Sequence, residues 1–243
     1  MNRSASLPTP AAVTAVLRPV DPALPAGPQV FAQLRAAILD MSLPPGHNLS
    51  EPEIGAALGV SRTPVREALA RLRAIALVTT RPSRGSSVTH LNEAHIREAQ
   101  FLREALEVAQ VRKLATNGVP SAFHEQTVSN LTAQADAVSN NDMPAFHQLD
   151  DAFHIGLADA TGFSRAAVVL AQEKAQLDRL RILSLHDASH LGALYEEHSA
   201  IYAAIVARDA EAAVVATQAH LQSVLSVLHA LAADHADYFD PAT

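Results

Sequence analysis

The 243-residue chain contains no cysteine and no tryptophan. The first absence excludes disulfides, thiolate nucleophiles and cysteine-ligated zinc or iron–sulfur sites. Aromatic residues make up only 4% of the sequence, so a large aromatic ligand would find little stacking surface. The opening segment also lacks a long apolar run: Ala11 to Leu17 is interrupted by Thr14, far short of the roughly 20 residues that span a bilayer. No transmembrane helix and no membrane partner are expected. Met1 to Pro28 has no sustained hydrophobic stretch ending in a small-residue cleavage site, which argues against a secretory signal and for the cytoplasm. What the chain has is bulk: 49% apolar residues, enough for one large or two ordinary folded domains at roughly 100 to 200 residues each.

The net charge of −7 is unevenly spread. Residues 1–90 hold 9 Arg against 5 acids, whereas residues 91–243 hold 9 Lys or Arg against 20 acids. A basic head on an acidic body suits a protein whose head alone approaches a polyanion. Ten of the 12 histidines lie in the acidic part.

Six of the 14 prolines fall within residues 1–28, which reads as an irregular tail. From Gln29, the residues Val30, Leu34, Ala37, Ile38 and Met41 keep helical spacing until Leu43-Pro44-Pro45-Gly46. Ser50 and Glu53 have capping-box spacing before a short helix that ends at Gly59. Ser61 is placed to cap a third helix, with Pro64 in its first turn and Val65, Leu69, Leu72 and Ala76 along one side. The short turn between the two predicts a helix-turn-helix. Two β-prone runs, 77–80 and 86–89, flank the turn Arg81-Pro82-Ser83-Arg84-Gly85 and predict a two-stranded wing. From Asn92 onward the period is helical, with breaks at 117–120, 140–142, 161–162, 186–192 and 208–209, predicting six helices.

The fold class expected is therefore mostly α: a winged helix-turn-helix of three helices and two strands over 29–90, then an all-α bundle over 92–236. In the head, Arg62, Thr63 and Arg66 occupy the first turns of the third helix, where a recognition helix meets base edges and phosphates. Arg62 and Arg66, four apart, share a face. Each can engage guanine bidentately or bind phosphate, and spacing does not choose between them.

The segment Leu49-Ser50-Glu51-Pro52-Glu53-Ile54, followed by Leu58-Gly59-Val60-Ser61-Arg62-Thr63-Pro64-Val65-Arg66-Glu67-Ala68-Leu69, resembles the winged helix-turn-helix of GntR-family bacterial regulators. The resemblance runs from about Val30 to Val88. It implies that Arg62, Thr63 and Arg66 read double-stranded DNA, with Arg84 and Gly85 bringing the wing tip to the minor groove or backbone. Where the family often has Arg after the Glu of its second helix, this chain has Pro52.

In the body, Asp150 and His154 lie four apart on one helix face, a common start for a metal site. His198 and His220, on later helices, are candidates to complete it; His147 is a competing ligand, and ordinary core histidines are the plain alternative. His186 and His190 fall in a polar stretch and read as solvated. The order of Leu102-Arg103 with Leu106-Glu107, Asp150-Asp151-Ala152-Phe153-His154, Glu197-His198 and His220-Leu221 resembles the FCD domain, the helical effector domain of the FadR branch of that family, over roughly 92–232. Phe163 stands where the family usually has Asn. The resemblance implies that Asp150, His154, His198 and His220 hold a divalent metal (Zn, Ni, Mn or Fe) and that a small organic or sugar acid binds there as effector. Arg103 is the candidate charged partner of that acid, with an intrahelical pair to Glu107 as the plain alternative; Arg179 and Arg181 are further pocket candidates, one of them expected to face solvent. The resemblance also implies a homodimer on an inverted-repeat operator, more often a repressor than an activator. No enzyme is expected, since no separate general acid or base accompanies the ligands; a helical metalloenzyme and a regulator with a purely structural metal are the alternatives.

Overall fold

The computed structural model describes residues 13–82, 85–184 and 188–240. They form two compact units. One comprises Met1–Glu93 with Asp178–Ser184 and Leu228–Thr243, the other Ala94–Leu177 with Leu185–Val227.

The first unit begins with a single helical turn, α1 (Val13–Val16), then α2 (Ala26–Leu39), α3 (Glu51–Leu58) and α4 (Arg62–Ala74). Helix α2 buries Val30, Leu34, Ala37 and Ile38 against α4, which buries Val65, Ala68, Leu69 and Leu72. The Ser50 hydroxyl accepts from the Glu53 N–H at 3.5 Å, and Gly59 ends α3 with φ at 70°. That left-handed conformation favours glycine and sets the tight turn into α4. Ser61 stands at the N-cap of α4 in extended conformation, but its side chain makes no capping bond.

Three features differ from the sequence-based expectation. The described part of the proline-rich tail is ordered: Val13 and Leu17 are buried and α1 packs on α3. Gln33 of α2 also holds Arg18 from both sides, accepting its N–H at 2.9 Å and donating to its carbonyl at 3.0 Å. Prolines stop long helices but leave room for one turn and for side-chain to backbone bonds. Second, the sheet has three strands, not two: β1 (Asn48–Leu49) pairs with β3 (Gly85–Val88), which also pairs antiparallel with β2 (Val78–Arg81). A two-residue strand carries no periodicity of its own. Third, the chain's last segment closes on the connector after β3, with the Leu91 N–H donating to the Tyr238 carbonyl and the Asp240 N–H to the Leu91 carbonyl, each at 2.8 Å.

The second unit is helical: α5 (Glu93–Asn117), α6 (Ser121–Ser139), α7 (Met143–Ala160), α8 (Ser164–Ser184), α9 (Ala188–Val206) and α10 (Ala210–Asp234). The last turns of α8 and α10 fall within the first unit. Helix α6 packs on α7 and α9, and a core cluster includes Val111, Leu114, Phe153, Leu157 and Ile201. The stretch expected to be a loop from 186 to 192 is helical from Ala188; His186 lies outside the described residues, as does the side chain of His190. By length and composition α10 is apolar enough to cross a membrane. Its Thr217, His220 and Leu221 are nevertheless buried in the helical unit, where their polar groups find protein partners.

Candidate metal centre and nucleic-acid interface

In the head, α4 carries four arginines that divide into two sets. Arg71 lies over the Phe31 ring at 3.9 Å and Arg73 donates to the Thr80 hydroxyl at 3.0 Å, so both serve the head's own structure. Arg62, Thr63 and Arg66 are exposed at the N-terminal turns. The Arg66 Nε donates to Glu51 of α3 at 2.7 Å, a partner fifteen residues away that spacing along one helix does not reveal. Gly85 opens β3 with φ at 78° and open space around its α-carbon. Arg84 lies outside the described residues.

The helical unit brings Asp150 and His154 of α7, His198 of α9 and His220 of α10 together, one ligand atom of each within 4.8 Å of all the others, and all four buried. Helical spacing aligns Asp150 with His154, whose Nε2 lies 3.9 Å from Asp150 Oδ1. His198 Nε2 lies 3.5 Å from that same oxygen. His147 stands outside this foursome.

Each imidazole is turned the same way. His154 Nδ1 bonds Glu107 Oε2 at 2.6 Å, His198 Nδ1 bonds Gln134 Oε1 at 2.9 Å, and His220 Nδ1 bonds Glu197 Oε2 at 2.7 Å. Because oxygen acceptors take the Nδ1 protons, the lone pairs reside on Nε2, which faces inward. His154 Nε2 and His220 Nε2 are 3.2 Å apart. Two lone pairs at that separation repel unless a cation or proton lies between them. Ligands adjacent on a metal at about 2.1 Å are themselves about 3.0 to 3.4 Å apart, so the donor set fits a bound divalent ion. One carboxylate and three imidazoles suit Zn, Ni, Mn or Fe without ranking them.

Electrostatics favour the ligand form of His154: burial, aided by Arg103, brings its pKa down to about 4 against the opposing pull of Glu107, which keeps the ring neutral near pH 7. Glu107 is fully buried, which alone would raise its pKa, yet Arg103 and His154 bring it down to about 2. Arg103 is buried and its Nε donates to Glu107 Oε1 at 2.5 Å. The intrahelical Arg103–Glu107 pair is thus present, and it extends onward to His154. Stacking fixes His198 as well, its ring centroid lying 4.5 Å from that of Phe153.

Sequence reasoning missed the outer layer of this centre. Glu107 was visible only as a partner for Arg103, Glu197 only as the neighbour of His198, and Gln134 carried no signal at all. Arg179 is fully buried and one of its guanidinium nitrogens donates to the Thr89 carbonyl at 2.7 Å within the first unit. The side chain of Arg181 lies outside the described ones.

Comparison with known proteins agrees with both halves. Residues 27–88 match the model for bacterial regulatory proteins of the gntR family, and residues 98–223 match the FCD domain. The chain is 35% identical to an HTH-type transcriptional regulator in an unstable DNA locus of Streptomyces ambofaciens, over 88% of this chain and 90% of that one. It is 32% identical to the HTH-type transcriptional repressor RspR of Escherichia coli K12, over 90% of this chain and 96% of that one. A solved structure described as a GntR transcriptional regulator from Rhodococcus sp. RHA1 superposes with a TM-score of 0.73 at 26% identity, covering 84% of this chain and 98% of that one. These relatives are regulators and not enzymes, which sets the metalloenzyme alternative aside. The head, the helical body with its buried Asp/His cluster and these matches agree: the chain belongs to the gntR family of bacterial transcriptional regulators, with an FCD domain following its DNA-binding head.

Proposed function

We propose that this regulator is a cytoplasmic homodimer that binds an inverted-repeat operator and is released from it by a small organic or sugar acid captured at a divalent metal. The carrying observation is the convergence of three inward-facing Nε2 atoms beside Asp150. In this reading the head takes in the packed residues from Val13 together with 29–90, and the sensor lies within 92–236. Arg62, Thr63 and Arg66 meet the major groove, and Arg84 with Gly85 brings the wing to the backbone or minor groove. Asp150, His154, His198 and His220 hold the metal. When bound, the ion supplies a Lewis-acidic position for one carboxylate oxygen. Arg103 supplies the charge-assisted hydrogen bond to the acid, while Glu107, Gln134 and Glu197 keep the three imidazoles in one tautomer and orientation. Release requires that the acid bind the two arrangements of the heads with different affinity, typically by about 1 to 3 kcal/mol. Repression is favoured over activation by the name of the E. coli relative.

The test is operator-fragment binding at fixed salt, with metal-loaded and chelated protein, across a panel of small acids. The expected result is one acid that weakens DNA binding only when metal is present. Metal removal that lowers thermal stability, with every acid leaving DNA binding unchanged, would instead make the metal structural. Absence of sequence-specific DNA binding would overturn the assignment of the head.

A further inference from the structure

An acid stands among the basic residues that the head offers to DNA. Glu51 opens α3, where the positive end of the helix favours a negative charge, and its Oε2 accepts from Arg66 Nε at 2.7 Å. The Arg66 and Glu51 side chains are 64% and 32% exposed. An ion pair so open to water adds little to stability, and a carboxylate at that place opposes the approach of a polyanion. Its consequence is direction. A guanidinium holds five N–H donors in one plane. With Nε bound to Glu51, the Nη1 and Nη2 groups remain at the end of the fork, and among the described residues they have no protein partner. The neighbouring Pro52 has no polar side chain to contribute.

We infer that Arg66 reads a guanine and that Glu51 is the positioning residue that points it there: Nη1 and Nη2 donate to the guanine O6 and N7 while Nε stays on the carboxylate. The inference rests on the reading of the first turns of α4 as the part that meets the major groove. Two N–H groups at the end of the fork match the paired acceptors of guanine. A phosphate held by the same two groups would bring a second anion close to Glu51, where like charges repel; the guanine edge offers acceptors without a net charge. The pair also holds a long side chain in one direction before DNA arrives, which lowers the entropy lost on binding. Removing the carboxylate frees Arg66 to swing towards the backbone, so that selectivity falls while attraction to DNA of any sequence rises.

The experiment selects bound duplexes from a randomised pool with the purified full chain at fixed salt, then titrates the selected site, and versions with each G·C pair replaced in turn by A·T, by fluorescence anisotropy. Adenine puts an amino donor where guanine has O6, so in the unaltered protein the replacement at one position or more should cost about tenfold in affinity. With Arg66→Ala, the replacement at one of those positions should cost less than about twofold, which couples this residue to that base. With Glu51→Ala, the cost at the same position should fall to about threefold or less, while an unrelated duplex binds more tightly. Should Glu51→Ala fail to fold, Glu51→Gln, which removes the charge and keeps the shape, is read in the same way. Loss of affinity in Arg66→Ala that is uniform over all positions, with the salt slope lower by about one for each protomer bound, would make Arg66 a phosphate ligand and overturn the inference. Undiminished guanine selectivity in Glu51→Ala would overturn the role of Glu51. Absence of sequence-selective binding by the unaltered protein would overturn the reading of the head, and the inference with it.

Discussion

A histidine becomes a metal ligand through what its other nitrogen touches. His154, His198 and His220 each commit Nδ1 to an oxygen, on Glu107, Gln134 and Glu197 respectively, and this fixes where the lone pairs point. Two of the three acceptors are carboxylates, which strengthen the donor character of the rings they hold. Glu107 does more than the others because its second oxygen neutralises the buried Arg103. We therefore expect Glu107→Gln to lower metal affinity by roughly 10- to 100-fold in a calorimetric titration. The same change leaves Arg103 without its countercharge, and a urea unfolding curve should show a loss of about 3 kcal/mol. Metal affinity equal to that of the unaltered protein would remove Glu107 from the centre. The four residues that converge here were legible in sequence because Asp150 and His154 share a helical face and the other two sit in recognisable motifs. Gln134 was not, because a glutamine on an amphipathic helix looks the same whether it faces solvent or an imidazole 64 residues away.

At the scale of elements, α3, its turn and α4 were readable because each has a local cause. Capping at Ser50, a left-handed residue at Gly59, a proline tolerated in the first turn of α4 and an apolar stripe are all visible within a few residues. Gly59→Ala places a side chain at φ 70°, and thermal unfolding should register a loss of about 1 kcal/mol for the head. Arg62 and Arg66 project from the same turns. Replacing both with alanine should weaken operator binding by at least about tenfold. If they read bases, affinity for unrelated DNA should change little; if they bind phosphate, both affinities fall and the salt slope drops by about one for each phosphate no longer neutralised. Unchanged operator affinity would end their assignment as DNA readers. Elements without a local cause were not readable: β1 is two residues long and exists because β3 lies beside it. Likewise α1 is one turn within a proline-rich stretch, held by packing on α3 and by the ordering of the chain along Gln33.

For the molecule as a whole, the basic N-terminal third and acidic remainder set how it should meet DNA. The Arg-rich head supplies the polyelectrolyte attraction, so operator affinity should fall steeply and linearly on a logarithmic salt scale, while the acidic body opposes non-specific association. Sedimentation equilibrium should return twice the chain mass of 25.7 kDa if the homodimer reading is right; a monomer bound to a single half-site would overturn it.

Composition, period and motif were enough to mark the order of the main helices, the helix-turn-helix, the residues of the Asp/His cluster and the family, because each depends on residues close together in the chain or on a recognisable run such as Ser61 to Leu69. The tertiary structure decided which nitrogen of each histidine faces the centre, which oxygens hold the other nitrogen, and that Arg179 is spent on the Thr89 carbonyl. It also decided that, among the described residues, Gln100 and Arg103 each keep one buried atom without a hydrogen-bond partner. These outcomes depend on pairs such as Glu107 with His154 and Gln100 with Leu221, 47 and 121 residues apart. No local pattern encodes such a pairing, because it arises only when helices pack and water is withdrawn from their polar groups.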